Sequence, residues 1–306
     1  MTTSLGGLVL AVYGPTASGK SAVAEAIADR IPAEVVSADA MQAYRGLPIL
    51  TNQPDRATRL VGIWPLDHDG SVGEYQALAH AAVDEILAAG RTPVVAGGTG
   101  LYLRAALADL EVPPAPPTGA RARFEALYDE LGGEAAHRLL AERDPEAAAA
   151  VHANDRRRVV RALEVAEAGG SLKPREDRLF STEARHPSLV VGLDVPAEEL
   201  RGRIERRTQA MFERGVVEEV RAALAADVSP TAAKTLGLAE VAELPPDVAK
   251  AAIVRRTARY AAYQRKWLRR LPSVVSLSAA RPAGVIADEI LEVARSRQRL
   301  PAGRAG

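Results

Sequence analysis

Residues Gly14 to Ser21, GPTASGKS, match the phosphate-loop pattern G-x-x-x-x-G-K-[ST] in full. Such a loop makes a strict architectural demand. It must join a buried strand to the start of a helix, so that backbone N–H groups close around phosphate oxygens and the helix N-terminus adds its partial positive charge. The flanks meet that demand: GLVLAVY (Gly7 to Tyr13) reads as a core strand and Gly19 to Arg30 as an amphipathic helix. Lys20 would add a full positive charge, and the Ser21 hydroxyl could hold Mg²⁺. Only five lysines occur in the 306 residues, and one stands where the pattern needs it.

The same rhythm continues. AEVVSAD (Ala33 to Asp39) reads as a second strand, RLVGIW (Arg59 to Trp64) as a short apolar run, Val72 to Ala89 as a helix and RTPVVAGG (Arg91 to Gly98) as a further strand. Strands alternating with helices imply a parallel sheet with ligand sites at the carboxyl ends of its strands. The expected fold class is α/β, a P-loop NTPase-like parallel sheet core flanked by helices. EVPPAPPTGA (Glu111 to Ala120) breaks the pattern, because proline cannot continue a helix and keeps the preceding residue extended. From Arg121 to Gly169 the chain reads as helical throughout, and strand character returns at HPSLVVGLDV (His186 to Val195). An all-helical insertion at 113–186 within a core of 1–112 and 187–306 follows. SVVSL (Ser273 to Leu277) reads as a last strand and Gly284 to Arg297 as a terminal helix.

Composition narrows the function classes. The chain has no cysteine and five histidines, which removes disulfides and thiolate metal sites and argues against a zinc enzyme. Apolar and charged fractions of 47% and 25% belong to an ordinary globular protein, and no apolar run reaches membrane-spanning length. The N-terminus lacks the basic segment and cleavage site of a secretory signal, so a cytoplasmic location is expected. A net charge of zero argues against general coating of nucleic acid. The basic residues cluster, however, in NDRRRVVRALE (Asn154 to Glu164) and VRRTARYAAYQRKWLRR (Val254 to Arg270).

Three further features could carry chemistry. Asp39 ends the second strand, where a carboxylate can serve as general base or act on a metal indirectly; it could equally cap a helix starting at Ala40. Gly97, Gly98 and Thr99 follow a buried strand, where they permit close approach of a ligand or simply satisfy a strand-to-helix turn. The arginines of LRGRIERRTQAMFERGVVEEV (Leu200 to Val220), an amphipathic helix pair, form a solvated face from which one could reach over the site and clamp a phosphate.

Taken in order, GPTASGKS, SADAMQAYRGLPI, GGTGLYLRA, DPEAAAAVHANDRRRVVRALEV, RIERRTQAMFERGVVEEV and QRKWLR resemble the tRNA dimethylallyltransferases (tRNA isopentenyl transferases) from Gly14 to about Arg270. The resemblance implies an enzyme that moves a prenyl group from dimethylallyl diphosphate to the exocyclic amine of the adenosine 3′ of the anticodon. It implies a helical insertion that binds the tRNA anticodon stem-loop. Gly14, Thr16, Ala17, Ser18, Gly19, Lys20 and Ser21 would bind the donor's diphosphate, with Mg²⁺ at Ser21. Asp39 would take the amine proton, Thr99 would sit where base meets donor, and Arg207 would help neutralise the diphosphate. RNA contacts would fall on Asp39, Ala40, Met41, Gln42, Thr99, Arg121, Arg157, Arg158 and Arg161, and on the 232–238 and 262–269 regions. A monomer with no membrane association is expected.

The sequence departs from that family's pattern at Ala40, at PILTNQP, at LGLAEV and at Ala262 and Tyr263. These departures fall on the RNA-facing half; the diphosphate half is intact. Tyr263 would either stack on a base or be a buried aromatic. A P-loop kinase of a small metabolite, an enzyme prenylating AMP or ADP, and a non-catalytic RNA-binding module are the competing readings.

Overall fold

A computed structural model describes residues 4–113, 116–117, 119–173 and 178–299. Pro114, Ala115 and Thr118 of the proline-rich linker lie outside the described residues. The chain forms two compact units, one of Met1–Asp109 with Leu179–Gly306 and one of Leu110–Arg178.

The first unit is built on five parallel strands in the order β2-β3-β1-β4-β5: β1 (Val9–Tyr13), β2 (Ala33–Ser37), β3 (Thr92–Gly97), β4 (Ser188–Asp194) and β5 (Val275–Ser278). Parallel neighbours need crossover connections, and helices on both faces supply them. The central strands are therefore buried on both sides, which is why β1 is a continuous apolar run with every residue buried. Leu10, Val12, Val94, Leu189 and Val191 meet Val23 and Ile27 of helix Lys20–Ala28 and Ile286, Ile290 and Leu291 of helix Ala283–Arg299 in the main core. β1 and β3 are neighbours whose onward connections run to opposite sides, to β2 and to β4. A crevice opens at the carboxyl ends of such a pair.

Two expected boundaries move. The short apolar run Arg59 to Trp64 adds no strand to the sheet and makes isolated bridges from Arg59 to Val36 and from Trp64 to Tyr44. The last strand starts at Val275 instead of Ser273, whose positive φ of 52° is incompatible with extended backbone. Residues 179–186 belong to the core unit and not to the insertion. The buried Arg104 guanidinium needs acceptors and donates to the carbonyls of Leu179 (2.8 Å) and Glu183 (3.1 Å). Arg185 N–H donates to Leu107 O at 2.8 Å, and the Arg185 and His186 side chains hold Asp84 at 2.9 and 2.7 Å.

The second unit is all helical among its described residues: Ala120–Leu131, Gly133–Arg143, Pro145–Ala150 and Arg156–Glu167. Phe124, Leu140, Val151, Val159, Val160 and Leu163 form its separate core.

Candidate active site

Strand register brings three sequence-distant loops together. Tyr13 pairs with Gly97 and Ser37 with Ala96, so the segments after β1, β2 and β3 emerge side by side. The approach is close. Ala38 N–H donates to Ala96 O at 2.9 Å and Thr99 N–H to Ala38 O at 3.2 Å, and a Cβ on Gly97 would lie 2.0 Å from Ala38 O. No side chain fits there, which gives Gly97 a structural reason independent of any ligand. Thr99 Oγ1 accepts from Ala40 N–H at 3.1 Å, and Asp39 Oδ1 accepts from Met41 N–H at 3.0 Å. Residues 40–43 form a turn, so Asp39 closes an Asx-type turn and caps no helix.

In the phosphate loop Ala17 and Gly19 both adopt left-handed backbone, with φ of 65° and 93°. Such turns bring successive N–H groups to one side and form an anion-binding concavity. Helix Lys20–Ala28 starts directly behind it. Lys20 Nζ donates to Pro15 O at 2.8 Å.

A cavity of about 450 Å³ opens here. Thr16, Ala17, Gly19, Lys20 and Ser21 line it, whereas Gly14 and Ser18 are buried beneath the loop. Asp39, Met41 and Gln42 line it from the next loop; Ala40 and Thr99 do not reach its wall. Helix Ala197–Glu213 contributes Arg203, Arg206, Arg207 and Met211. Arg207 is thus the arginine that faces Asp39 and Lys20. Arg203 is occupied by Glu199 (2.6 Å) and Ala279 O (2.8 Å). Among the described residues, Lys20, Arg206 and Arg207 form no salt bridge.

The electrostatics follow from that convergence. Burial brings the Lys20 ammonium down to about 8; Asp39 opposes the shift and Arg207 reinforces it. Burial also lowers Arg207, again against the attraction of Asp39. Tyr260 is pushed up to about 12 by burial and then by Asp39. Two desolvated cations beside one carboxylate leave the wall with excess positive charge, and an anion would relieve it.

Apolar side chains share the wall with these charges. Met41, Leu50, Met211, Leu236 and Ile253 line the same cavity, together with the hydroxyl-bearing Thr51, Thr208, Thr257 and Tyr260. Cationic and hydrocarbon groups therefore share one space.

Two residues that sequence reasoning did not single out hold the site. Gln264, on helix Pro246–Leu268 and 1% exposed, accepts from Thr16 N–H at 2.7 Å and donates to Gly98 O at 2.8 Å. Its own carbonyl accepts from Tyr13 OH at 3.2 Å. It ties the phosphate loop to the loop after β3. Tyr260, one turn earlier, lines the cavity. In the sequence both fall in the basic segment from Val254 to Arg270, and Gln264 opens the QRKWLR motif, which the resemblance linked to RNA and not to the phosphate loop.

Comparison with known proteins agrees with this arrangement. A family model described as IPP transferase matches residues 42–271, and one described as Isopentenyl transferase matches residues 7–59. The chain is 42% identical over 282 residues to a tRNA dimethylallyltransferase of Streptomyces griseus, covering 88% of this chain and 89% of that protein. The chain belongs to the tRNA dimethylallyltransferase family. A second member, from Thermobifida fusca, is 42% identical over 284 residues, with 87% and 88% covered. Among solved structures, a full-length tRNA isopentenylpyrophosphate transferase from Bacillus halodurans superposes with a TM-score of 0.67 at 28% identity, covering 96% of this chain and 98% of that one. A eukaryotic dimethylallyltransferase acting on tRNA shares the fold, with a TM-score of 0.77 at 22% identity over 97% and 81% of the two chains.

The arginines that the family resemblance assigns to RNA divide into two groups within the helical unit. Arg161 binds Glu164 at 3.0 Å, and Arg121 lies 3.2 Å from Glu125 and 3.9 Å from Glu164, whose side chain is 1% exposed. Arg156 is held by Asp129 at 2.6 Å. Arg157 and Arg158 are exposed and make no ion pair among the described residues. Those two keep their full charge available. No helix of the described residues is long and apolar enough to cross a membrane.

Proposed function

We propose that this chain transfers the dimethylallyl group of dimethylallyl diphosphate to the N6 amine of the adenosine 3′-adjacent to the anticodon in tRNA, releasing diphosphate. The observation that carries the reading is the mixed wall of the cavity, with Lys20, Arg207 and the loop amides beside Met41, Leu50, Met211 and Ile253. A prenyl diphosphate matches both parts, its phosphates on the cations and its hydrocarbon on the apolar side chains.

In this reading the carbon–oxygen bond of the donor breaks and a carbon–nitrogen bond to N6 forms. The proton released from the amine passes to the Asp39 carboxylate. Lys20, Arg207 and the N–H groups from Gly19 to Ser21, at the start of the helix, receive the charge that grows on the departing diphosphate, a role whose loss typically costs about 10²–10³-fold in rate. Thr99 positions the turn carrying Asp39 by accepting the Ala40 N–H, and so acts through that carboxylate and not on substrate.

A magnesium ion fits the donor chemistry in one form only. No group of three or more His, Asp or Glu side chains among the described residues could hold a metal, whereas Ser21 lines the cavity. That set suits Mg²⁺ that arrives on phosphate oxygens and keeps most of its waters. When bound at Ser21 it would supply further charge neutralisation of the diphosphate.

The reading is tested by incubating the purified chain with labelled dimethylallyl diphosphate and tRNA, AMP or no acceptor, with ATP consumption followed in parallel. Label should enter tRNA alone and ATP should persist. Asp39→Asn should lower transfer by about 10²–10⁴-fold. Label in AMP, or ATP turnover driven by a small metabolite, would replace this reading with one of its competitors.

A further inference from the structure

Helix Pro246–Leu268 carries an aromatic side chain that the proposed chemistry does not use. Tyr263 is 54% exposed, so it is not the core residue that an apolar ring on a helix usually is. Its ring lies 6.4 Å from that of Tyr260 at an interplanar angle of 24°, a parallel offset arrangement. Tyr260 in turn lines the cavity that holds Asp39. The two rings thus run from the site wall to the surface, with the outer one open to solvent.

The charges around Tyr263 are equally specific. Arg255 and Arg259 stand two turns and one turn before it, at i−8 and i−4, and Lys266 stands at i+3; these spacings put all four side chains on one helix face. All three cations belong to the solvent-facing or half-exposed residues of the helix, and none forms a salt bridge among the described residues. Arg256, on the neighbouring face, is by contrast consumed by Glu240 at 2.8 Å. An exposed ring interleaved with unpaired cations is the combination that binds unstacked nucleic acid: the ring offers a π-face to a base and the cations track the phosphates.

We infer that Tyr263, backed by Tyr260 and flanked by Arg259 and Lys266, is a stacking platform for an unpaired base of the RNA acceptor at the entrance to the active site. The inference deepens the proposed function and rests on it. It assigns Tyr263 to positioning and acceptor selection, and leaves donor binding to the phosphate loop. The hydroxyl is dispensable for stacking, whereas the ring is not.

The test uses the full chain and an anticodon stem-loop carrying 2-aminopurine in its unpaired segment. Wild type should quench the fluorophore on binding. Tyr263→Ala should abolish the quench and raise the KM for RNA about ten- to a hundredfold, the range set by one base–aromatic stack, with the KM for dimethylallyl diphosphate unchanged. Tyr263→Phe and Tyr263→Trp should behave as wild type. Arg259→Ala with Lys266→Ala should flatten the salt dependence of RNA binding while keeping the quench. The inference is overturned if Tyr263→Ala keeps the quench and the RNA KM, if Tyr263→Phe fails as Tyr263→Ala does, or if Tyr263→Ala changes only the oligomeric state. Failure of wild type to transfer the prenyl group would count against the proposed function instead, and is read separately in the unmutated chain.

Discussion

Lys20 and Asp39 line one cavity and Asp39 acts on the Lys20 charge, and the consequence is measurable as a pH dependence. Lys20 loses its proton near 8 because burial disfavours the ammonium, while Asp39 holds the charge on. Above that pH the free protein must take up a proton to bind a diphosphate on a charged Lys20. The dissociation constant for dimethylallyl diphosphate should therefore be flat below about 8 and rise by up to about tenfold per pH unit above it. In Asp39→Asn the supporting charge is gone, so the rise should begin at lower pH. A titration of donor affinity from pH 6 to 10 in both proteins checks this, and coincident curves would separate the two residues. The stability effect has its own sign. Native Lys20 titrates near 8 and the unfolded side chain near 10.5, so between those values the unfolded chain binds more protons and this group's contribution to stability rises with pH. At this scale the phosphate loop was legible because it is local: eight consecutive residues carry their own geometry. The same locality left Asp39 open between base and helix cap in the sequence; the turn at residues 40–43 removes the helix it could have capped.

Helix Pro246–Leu268 shows what an element adds to its residues. Gln264 satisfies a loop N–H and a loop carbonyl that follow different strands; the bond to Gly98 O is buried and the bond from Thr16 N–H is half-buried at the cavity wall. Gln264→Ala would leave Thr16 N–H and Gly98 O unpaired at a cost of about 1–3 kcal/mol for each that stays buried. Urea denaturation should show the loss, and donor KM should rise because the phosphate loop loses its tether. Gln264→Glu tests the assignment more finely: it can still accept from Thr16, but it cannot donate to Gly98. It should therefore recover part of the stability, and equal behaviour of the two variants would deny the loop–loop tether. None of this was visible along the chain, since Thr16 and Gln264 are 248 residues apart. The central strands were visible because double-sided burial makes them runs of apolar residues, as in β1, whereas the edge strand β5, VSLS with only Leu277 buried, gave a weaker signal and its start moved. Tyr263 belongs to the hidden class too: sequence offered either a stacked base or a buried ring, and only its exposure in the folded helix decides between them.

The whole molecule divides its charge between two separately cored units, and that division predicts how RNA binding responds to salt. In the helical unit, Arg161 and Arg121 flank the buried Glu164, so their first duty is to the fold. Arg157 and Arg158 have no such duty. The cluster Asn154 to Glu164 looked uniform in sequence because spacing does not reveal which arginine meets a carboxylate from another helix. Arg157→Ala with Arg158→Ala should weaken tRNA binding and reduce the slope of log K against log salt by about one to two, the value for two lost phosphate contacts. Thermal stability and donor KM should stay at the wild-type level. Arg161→Ala should do the reverse, because Glu164 would lose its nearest cation and the helical unit about 1–3 kcal/mol of stability. If Arg157→Ala with Arg158→Ala leaves the salt slope unchanged, the two exposed arginines are a solvated face, and the salt-dependent charge is to be sought next on the core unit along Arg255, Arg259 and Lys266.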